Sequence, residues 1–202
     1  RAHDMGIEIH FCEVKQDVAL MRDQYHQAPG EFAESAGILT DRTMMAHGIW
    51  LTREDMRALK RHGSTVVHCP ASNLKLASGF CLVPELLEEG VNVALGTDGV
   101  ASNNNLNLWE EIKLMPMLQK GVTLDPTVIS PAQTLAAATV EGARAMGYDN
   151  LGLLTEGYLA DLILLDLNVP NMLPAIDLES NLIYSAQGSD VRLTMVNGKV
   201  LY

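Results

Sequence analysis

Val91-Asn92-Val93-Ala94-Leu95-Gly96-Thr97-Asp98 is a short apolar run that ends on a carboxylate and is followed at once by Gly99. Three earlier runs share the design: residues 6–10, 43–47 and 65–68 are rich in Ile, Val, Met, Ala or Thr and stop at His10, His47 and His68. Longer segments of helical period separate them. Short apolar runs alternating with helical stretches predict β/α units around a parallel sheet, and four such units fit before about residue 148.

The boundaries carry local signals. Thr52 with Asp55 three residues later has the form of a capping box, and Ser130-Pro131-Ala132-Gln133 supplies a cap, a first-turn proline and a reciprocal glutamine. Gly63, Gly90 and Gly147 stand where helices should stop. After Tyr148 the texture changes to alternating apolar and polar residues, and Asn197-Gly198 between two such runs is a strong hairpin signal. The division expected is therefore 1–148 for the β/α units and 149–202 for an antiparallel β tail, too short to close a sandwich alone.

Function classes narrow with composition. Of 202 residues 48% are hydrophobic and 19% charged, without an apolar stretch long enough for a membrane span. The net charge of −11 and the lack of a Lys/Arg cluster argue against nucleic acid as a partner. Cys12, Cys69 and Cys81 are odd in number and show no C-x-x-C spacing, which disfavours a disulfide framework or thiolate zinc site and fits a reducing cytoplasm. Arg1-Ala2-His3-Asp4 has neither an initiator Met nor the character of a signal peptide and reads as a cut edge.

His10, His47, His68 and Asp98 each fall at the end of an apolar run, at intervals of 37, 21 and 30 residues. Catalytic groups of β/α barrels come from the C-terminal ends of different strands, and a barrel of roughly 250 residues has a period near ~31. Imidazole and carboxylate suit Zn²⁺ or Fe²⁺, so His10 and Asp98 are the candidate ligands. Each residue also has a plainer reading. A strand-end histidine can be structural, and His68, followed by Cys69-Pro70, is as suited to structure as to lining a substrate pocket. Glu13 can pass a proton beside a metal site or can be an ordinary helix N-terminal carboxylate. Asp98 between glycines can serve a sharp turn. The loops 71–79 and 102–105 are dense in small polar side chains, which makes Asn73, Ser102 and Asn103 candidate substrate contacts.

His10-Phe11-Cys12-Glu13, Met45-Ala46-His47-Gly48, the stretch from His68-Cys69-Pro70 through Ser72-Asn73-Leu74-Lys75-Leu76, and Leu95-Gly96-Thr97-Asp98-Gly99 together resemble the amidohydrolase superfamily. Within it the pattern is most similar to deaminases of 5′-methylthioadenosine and S-adenosylhomocysteine, with residues 100–108 adding to the likeness; guanine-type deaminases and triazine-type chlorohydrolases share much of it. The resemblance implies an α/β fold, the C-terminal half of a (β/α)8 TIM-type barrel followed by part of a small β-sandwich to which residues 157–166 and 196–200 belong. It implies one divalent metal, zinc with iron the alternative, held by His10 and Asp98. Asp98 would also take a proton from the attacking water, Glu13 would shuttle protons to the ring nitrogen and leaving group, and His47 would orient the water. The substrate expected is a small heterocycle. The family's H-x-H pair has no counterpart in these residues, so a complementary N-terminal half, or association of the chain with itself, is expected to complete the site.

Overall fold

Ile9, Met45, Val66 and Val93 stand side by side on four neighbouring strands, and this row turns toward the helices, where Met45, Val66 and Val93 are fully enclosed. Because successive side chains alternate between faces, the next row, His10, Ala46, Val67 and Ala94, lies on the opposite side of the sheet. The structure is a computed structural model, and it describes residues 5–202. Arg1-Ala2-His3-Asp4, expected to be a cut edge, lie outside the described residues.

The strands are β1 (Ile7–Phe11), β2 (Thr43–His47), β3 (Thr65–His68) and β4 (Asn92–Leu95), all parallel and in sequential order. Helices α1 (Lys15–Tyr25) and α2 (Pro29–Ser35) follow β1, α3 (Arg53–His62) follows β2, and α4 (Pro70–Lys75) and α5 (Val83–Glu88) follow β3. After β4 come α6 (Val100–Asn103), α7 (Leu108–Thr123), α8 (Pro131–Ala138) and α9 (Val140–Ala145). The four expected units are all present. Met56, Leu59 and Leu86 close the helix side of the sheet at 0–1% exposure, each such side chain contributing roughly 1.5–3 kcal/mol by leaving water.

The local signals act as anticipated. Thr52 accepts a hydrogen bond from the Asp55 amide at the start of α3, and Ser130 accepts one from the Gln133 amide at the start of α8. Gly63 caps the end of α3 with φ 72°, a left-handed conformation that is strained for residues with a Cβ.

Two strands differ from expectation, and each also starts one residue later. β1 runs one residue further, to Phe11, whereas β4 stops at Leu95 and leaves Asp98 in the following loop at φ 60°. The chain leaves the ladder at Gly96, where a Cβ would lie 2.8 Å from Val67 Cγ1; only a glycine lets β4 pass this close to β3.

The tail is not purely β. Strands β5 (Leu162–Leu165), β6 (Val191–Val196) and β7 (Lys199–Val200) form an antiparallel sheet in that order, and Asn197 and Gly198 turn the hairpin at φ 48° and 75°. Between β5 and β6, however, lies helix α10 (Leu178–Tyr184), which packs on α7 and α8. Asp177 caps it by accepting from the Ser180 amide, and Ile183 is fully buried. Helical spacing of Leu178, Leu182 and Ile183 overrides the alternating texture read across the tail.

Candidate metal centre

The loops leaving the C-terminal ends of the four strands carry the site. His10 comes from β1, Glu13 from the turn behind it, His47 from the last position of β2, and Asp98 from the loop beyond β4. His47 sits at φ 75° and Asp98 at φ 60°, so the backbone turns in a left-handed sense where each side chain is presented. Such strain at two neighbouring positions is characteristic of functional sites.

His10, His47 and Asp98 converge: each offers one ligand atom, and these lie within 4.8 Å of one another. His10 Nε2 is 3.6 Å from Asp98 Oδ1, and His47 Nε2 is 4.0 Å from Asp98 Oδ2 and 3.8 Å from Glu13 Oε2. His10 is open, its side chain 67% exposed, whereas His47 is buried. Two imidazoles and a carboxylate form a donor set suited to zinc or iron, so the residues present fit a divalent metal. Three donors face one point, where His10 and Asp98 alone were expected to act as ligands.

Each of these groups is held by a neighbour. Asn73 Oδ1 accepts from His47 Nδ1 at 2.7 Å, which fixes the ring with Nε2 directed at the cluster. Ser72 Oγ donates to Asp98 Oδ2 at 2.6 Å, and the Gly99 amide donates to Asp98 Oδ1 at 2.7 Å. Burial works against the charged form of Asp98, but these two donors and the nearby His47 and His10 outweigh it and hold the carboxyl below its ordinary range. Ser78 Oγ donates to Glu13 Oε1 at 3.0 Å.

The expected substrate contacts are placed differently from one another. His68 and Asn73 are both at 0% exposure, so neither presents surface to a ligand. Asn73 instead orients His47, and burial, with His47 nearby, presses the His68 pKa down to about 3, keeping the ring neutral. Asn103 is also turned inward: its amide donates to Thr97 O at 2.8 Å and to Glu111 Oε1 at 2.7 Å. For Asn73 and Asn103 the cause is the folding back of the loops on the strand ends, which pairs their small polar side chains with other residues; for His68 burial fits the structural alternative that the sequence left open. Ser102 is half-buried next to this network.

Glu111 was not anticipated. It is fully buried in the first turns of α7, accepts from the Ala71 amide at 3.0 Å and from Asn103, and so ties the loop after β3 to the loop after β4. Burial pushes its carboxyl above the usual range, against those two hydrogen bonds. Nothing in its sequence neighbourhood distinguishes it from a helix N-terminal glutamate. Ser72 and Ser78, by contrast, fall in the polar loop 71–79 that sequence had singled out. The thiols of Cys12, Cys69 and Cys81 are buried and raised, that of Cys69 to about 12, which makes them poor nucleophiles and poor ligands.

Four β/α units with these side chains at their ends match the family model described as "Amidohydrolase family" over residues 1–201. The chain belongs to the amidohydrolase family. This amidohydrolase chain is 43% identical over 202 residues to the 5-methylthioadenosine/S-adenosylhomocysteine deaminase of Clostridium tetani, covering 100% of itself and 47% of that relative. Among solved structures it is similar to an adenosine deaminase from Xanthomonas campestris with bound zinc, at a TM-score of 0.94 and 40% identity over 98% of this chain and 45% of that one. It is also similar to the atrazine chlorohydrolase of Arthrobacter aurescens complexed with zinc, at a TM-score of 0.92 and 29% identity over 99% of this chain and 44% of the other. The chain thus spans about half the length of the proteins it matches. No helix among its described residues is long and apolar enough to cross a membrane.

Proposed function

We propose that this amidohydrolase chain is the C-terminal half of a metal-dependent deaminase that replaces the amino group of an adenine-type nucleoside, of the 5′-methylthioadenosine or S-adenosylhomocysteine kind, with oxygen. In this proposal residues 1–148 are the last four β/α units of a TIM-type barrel and 149–202 part of a β-sandwich, in a cytoplasmic enzyme. The observation that carries it is the convergence of His10, His47 and Asp98 with the Glu13 carboxylate 3.8 Å from His47 Nε2.

A bound divalent cation, zinc or iron, supplies Lewis acidity and a water nucleophile usable near neutral pH. His10 and Asp98 would hold it, and His47 Nε2 faces the same point. Asp98 Oδ2 accepts a proton as water attacks, while His47, fixed by Asn73, orients the water by hydrogen bonding. Water supplies both protons: Glu13 takes one and gives it to the ring nitrogen, then relays the one held by Asp98 to the departing amine as the C–N bond breaks, so that ammonia leaves uncharged. Ser102, beside the same loop, is the remaining candidate for substrate contact.

The test uses the whole protein that contains this chain, loaded with zinc and given methylthioadenosine. Stoichiometric ammonia release is the expected result; metal-replete protein that releases none removes the deaminase assignment. Release of chloride from a chlorinated triazine would instead favour dechlorination, for which the similarity to the atrazine chlorohydrolase speaks.

A complementary half also belongs to this proposal. Among the described residues β1 and β4 each pair on one side only, and Ile163 and Leu164 of β5 are exposed, with exposed Leu154 beside them. Open edges and apolar faces of this kind favour association. Sizing of the isolated 202-residue chain should show self-association; a stable monomer would argue against it.

A further inference from the structure

Glu13 is held inside a closed circuit of hydrogen bonds that reaches well beyond the groups touching it. Cys12 O accepts from both the Ile49 and the Trp50 amides at 3.1 Å, tying the segment that carries Glu13 to the turn after β2. Trp50 Nε1 donates to Ser78 O at 3.0 Å, and Ser78 Oγ donates back to Glu13 Oε1 at 3.0 Å. Cys12, Trp50, Ser78 and Glu13 therefore come from three different strand-end loops and fix one another. Ser78 is 6% exposed, so water competes little for its hydroxyl.

The backbone is shaped for this contact. Ala77 at φ 55° and Gly79 at φ 131° flank Ser78, both in the left-handed half of conformational space. A Cβ at Gly79 would lie 2.9 Å from Ile49 Cγ2 and 3.0 Å from Trp50 Cζ2, so the loop meets the indole only because residue 79 has no side chain. Lys15 Nζ covers the Trp50 ring 4.6 Å from its centroid, adding a further tie from just beyond Glu13.

We infer that Ser78 is a positioning residue for Glu13, and that Trp50 sets Ser78 in turn. With Oε1 engaged by the Ser78 hydroxyl, the carboxylate cannot rotate freely and Oε2 stays on the His47 side. The circuit touches neither His10 nor Asp98 and meets His47 only through Glu13 Oε2 at 3.8 Å, so its effect falls on proton movement rather than on metal held by His10 and Asp98. Its catalytic consequence rests on the deaminase reading; its geometric content does not.

The experiment compares Ser78→Ala, Ser78→Thr and Trp50→Phe in the whole protein, by steady-state kinetics, metal content and crystal structure. Ser78→Ala should lower kcat by about 10-fold, the scale of one hydrogen bond to a charged group, with KM within about twofold and metal content unchanged. Ser78→Thr, which keeps the hydroxyl, should recover most of kcat, and Trp50→Phe should fall between. In the Ser78→Ala crystal structure the Glu13 carboxylate should leave its place beside His47. A Glu13 that keeps its position in Ser78→Ala overturns the inference even if the wild type deaminates nothing. Absence of ammonia release from a wild type with an ordered Ser78–Glu13 pair overturns the deaminase reading alone.

Discussion

Ser72 Oγ donates to Asp98 Oδ2 at 2.6 Å, joining the first turn of α4 to the loop beyond β4. The donor is fully buried, and the acceptor is one of the two carboxylate oxygens that face the histidines. Removing such a partner leaves the ligand in place but frees its orientation.

Ser72→Ala is therefore expected to weaken metal binding by about 10–100-fold, the usual effect of losing a partner that orients a ligand. Competition with a chelator of known affinity, read by metal analysis after gel filtration, measures it. Unchanged affinity would mean that the Gly99 amide alone holds Asp98.

His68 makes stability depend on pH. Its pKa lies near 3 in the fold, because burial and then the neighbouring His47 disfavour the imidazolium, against about 6.5 in an unfolded chain. Between those values the unfolded chain binds the extra proton, so stability is full above about pH 6.5 and is lost as pH falls toward 3. Denaturant unfolding at several pH values should show this decline, at most about 1.4 kcal/mol per pH unit from this one group, and a flatter profile in His68→Gln. A slope the same in both proteins would assign the effect elsewhere.

Glu111→Gln should destabilise by roughly 1–3 kcal/mol, because the new amide group must point an N–H at either the Ala71 amide or the Asn103 amide, both of which are donors. Thermal unfolding measures the loss. Limited proteolysis should show earlier cleavage in residues 97–105, whose loop Glu111 anchors through Asn103.

Both ends of α3, the start of α8, the hairpin at Asn197-Gly198 and the presence of four parallel strands were legible because each depends on residues close in sequence: a capping pair, a Pro or Gly at a fixed offset, an apolar run of strand length. Helix α10 was missed because its seven residues form a short amphipathic segment inside an alternating stretch, and its stability comes from packing on α7 and α8. The end of β4 was misjudged because the run reads on through Gly96 to Asp98, while the Gly96 amide makes the last bond to His68 O at 3.0 Å before the chain turns away.

The placement of His10 and His47 at the ends of β1 and β2 was determined by sequence, since strand length and the order of units bring them to one edge of the sheet, whereas Asp98 reaches that edge from the loop beyond β4. Only the tertiary structure decided which loop side chains face the site and which brace it. His68, Asn73 and Asn103 are buried, Asn73 against His47 and Asn103 against Glu111, while Ser72 is bonded to Asp98 and Ser78 to Glu13 and Trp50. The reason is physical: a small polar side chain in a folded-back loop must find a partner once it leaves water, and that partner is supplied by whichever distant loop packs against it.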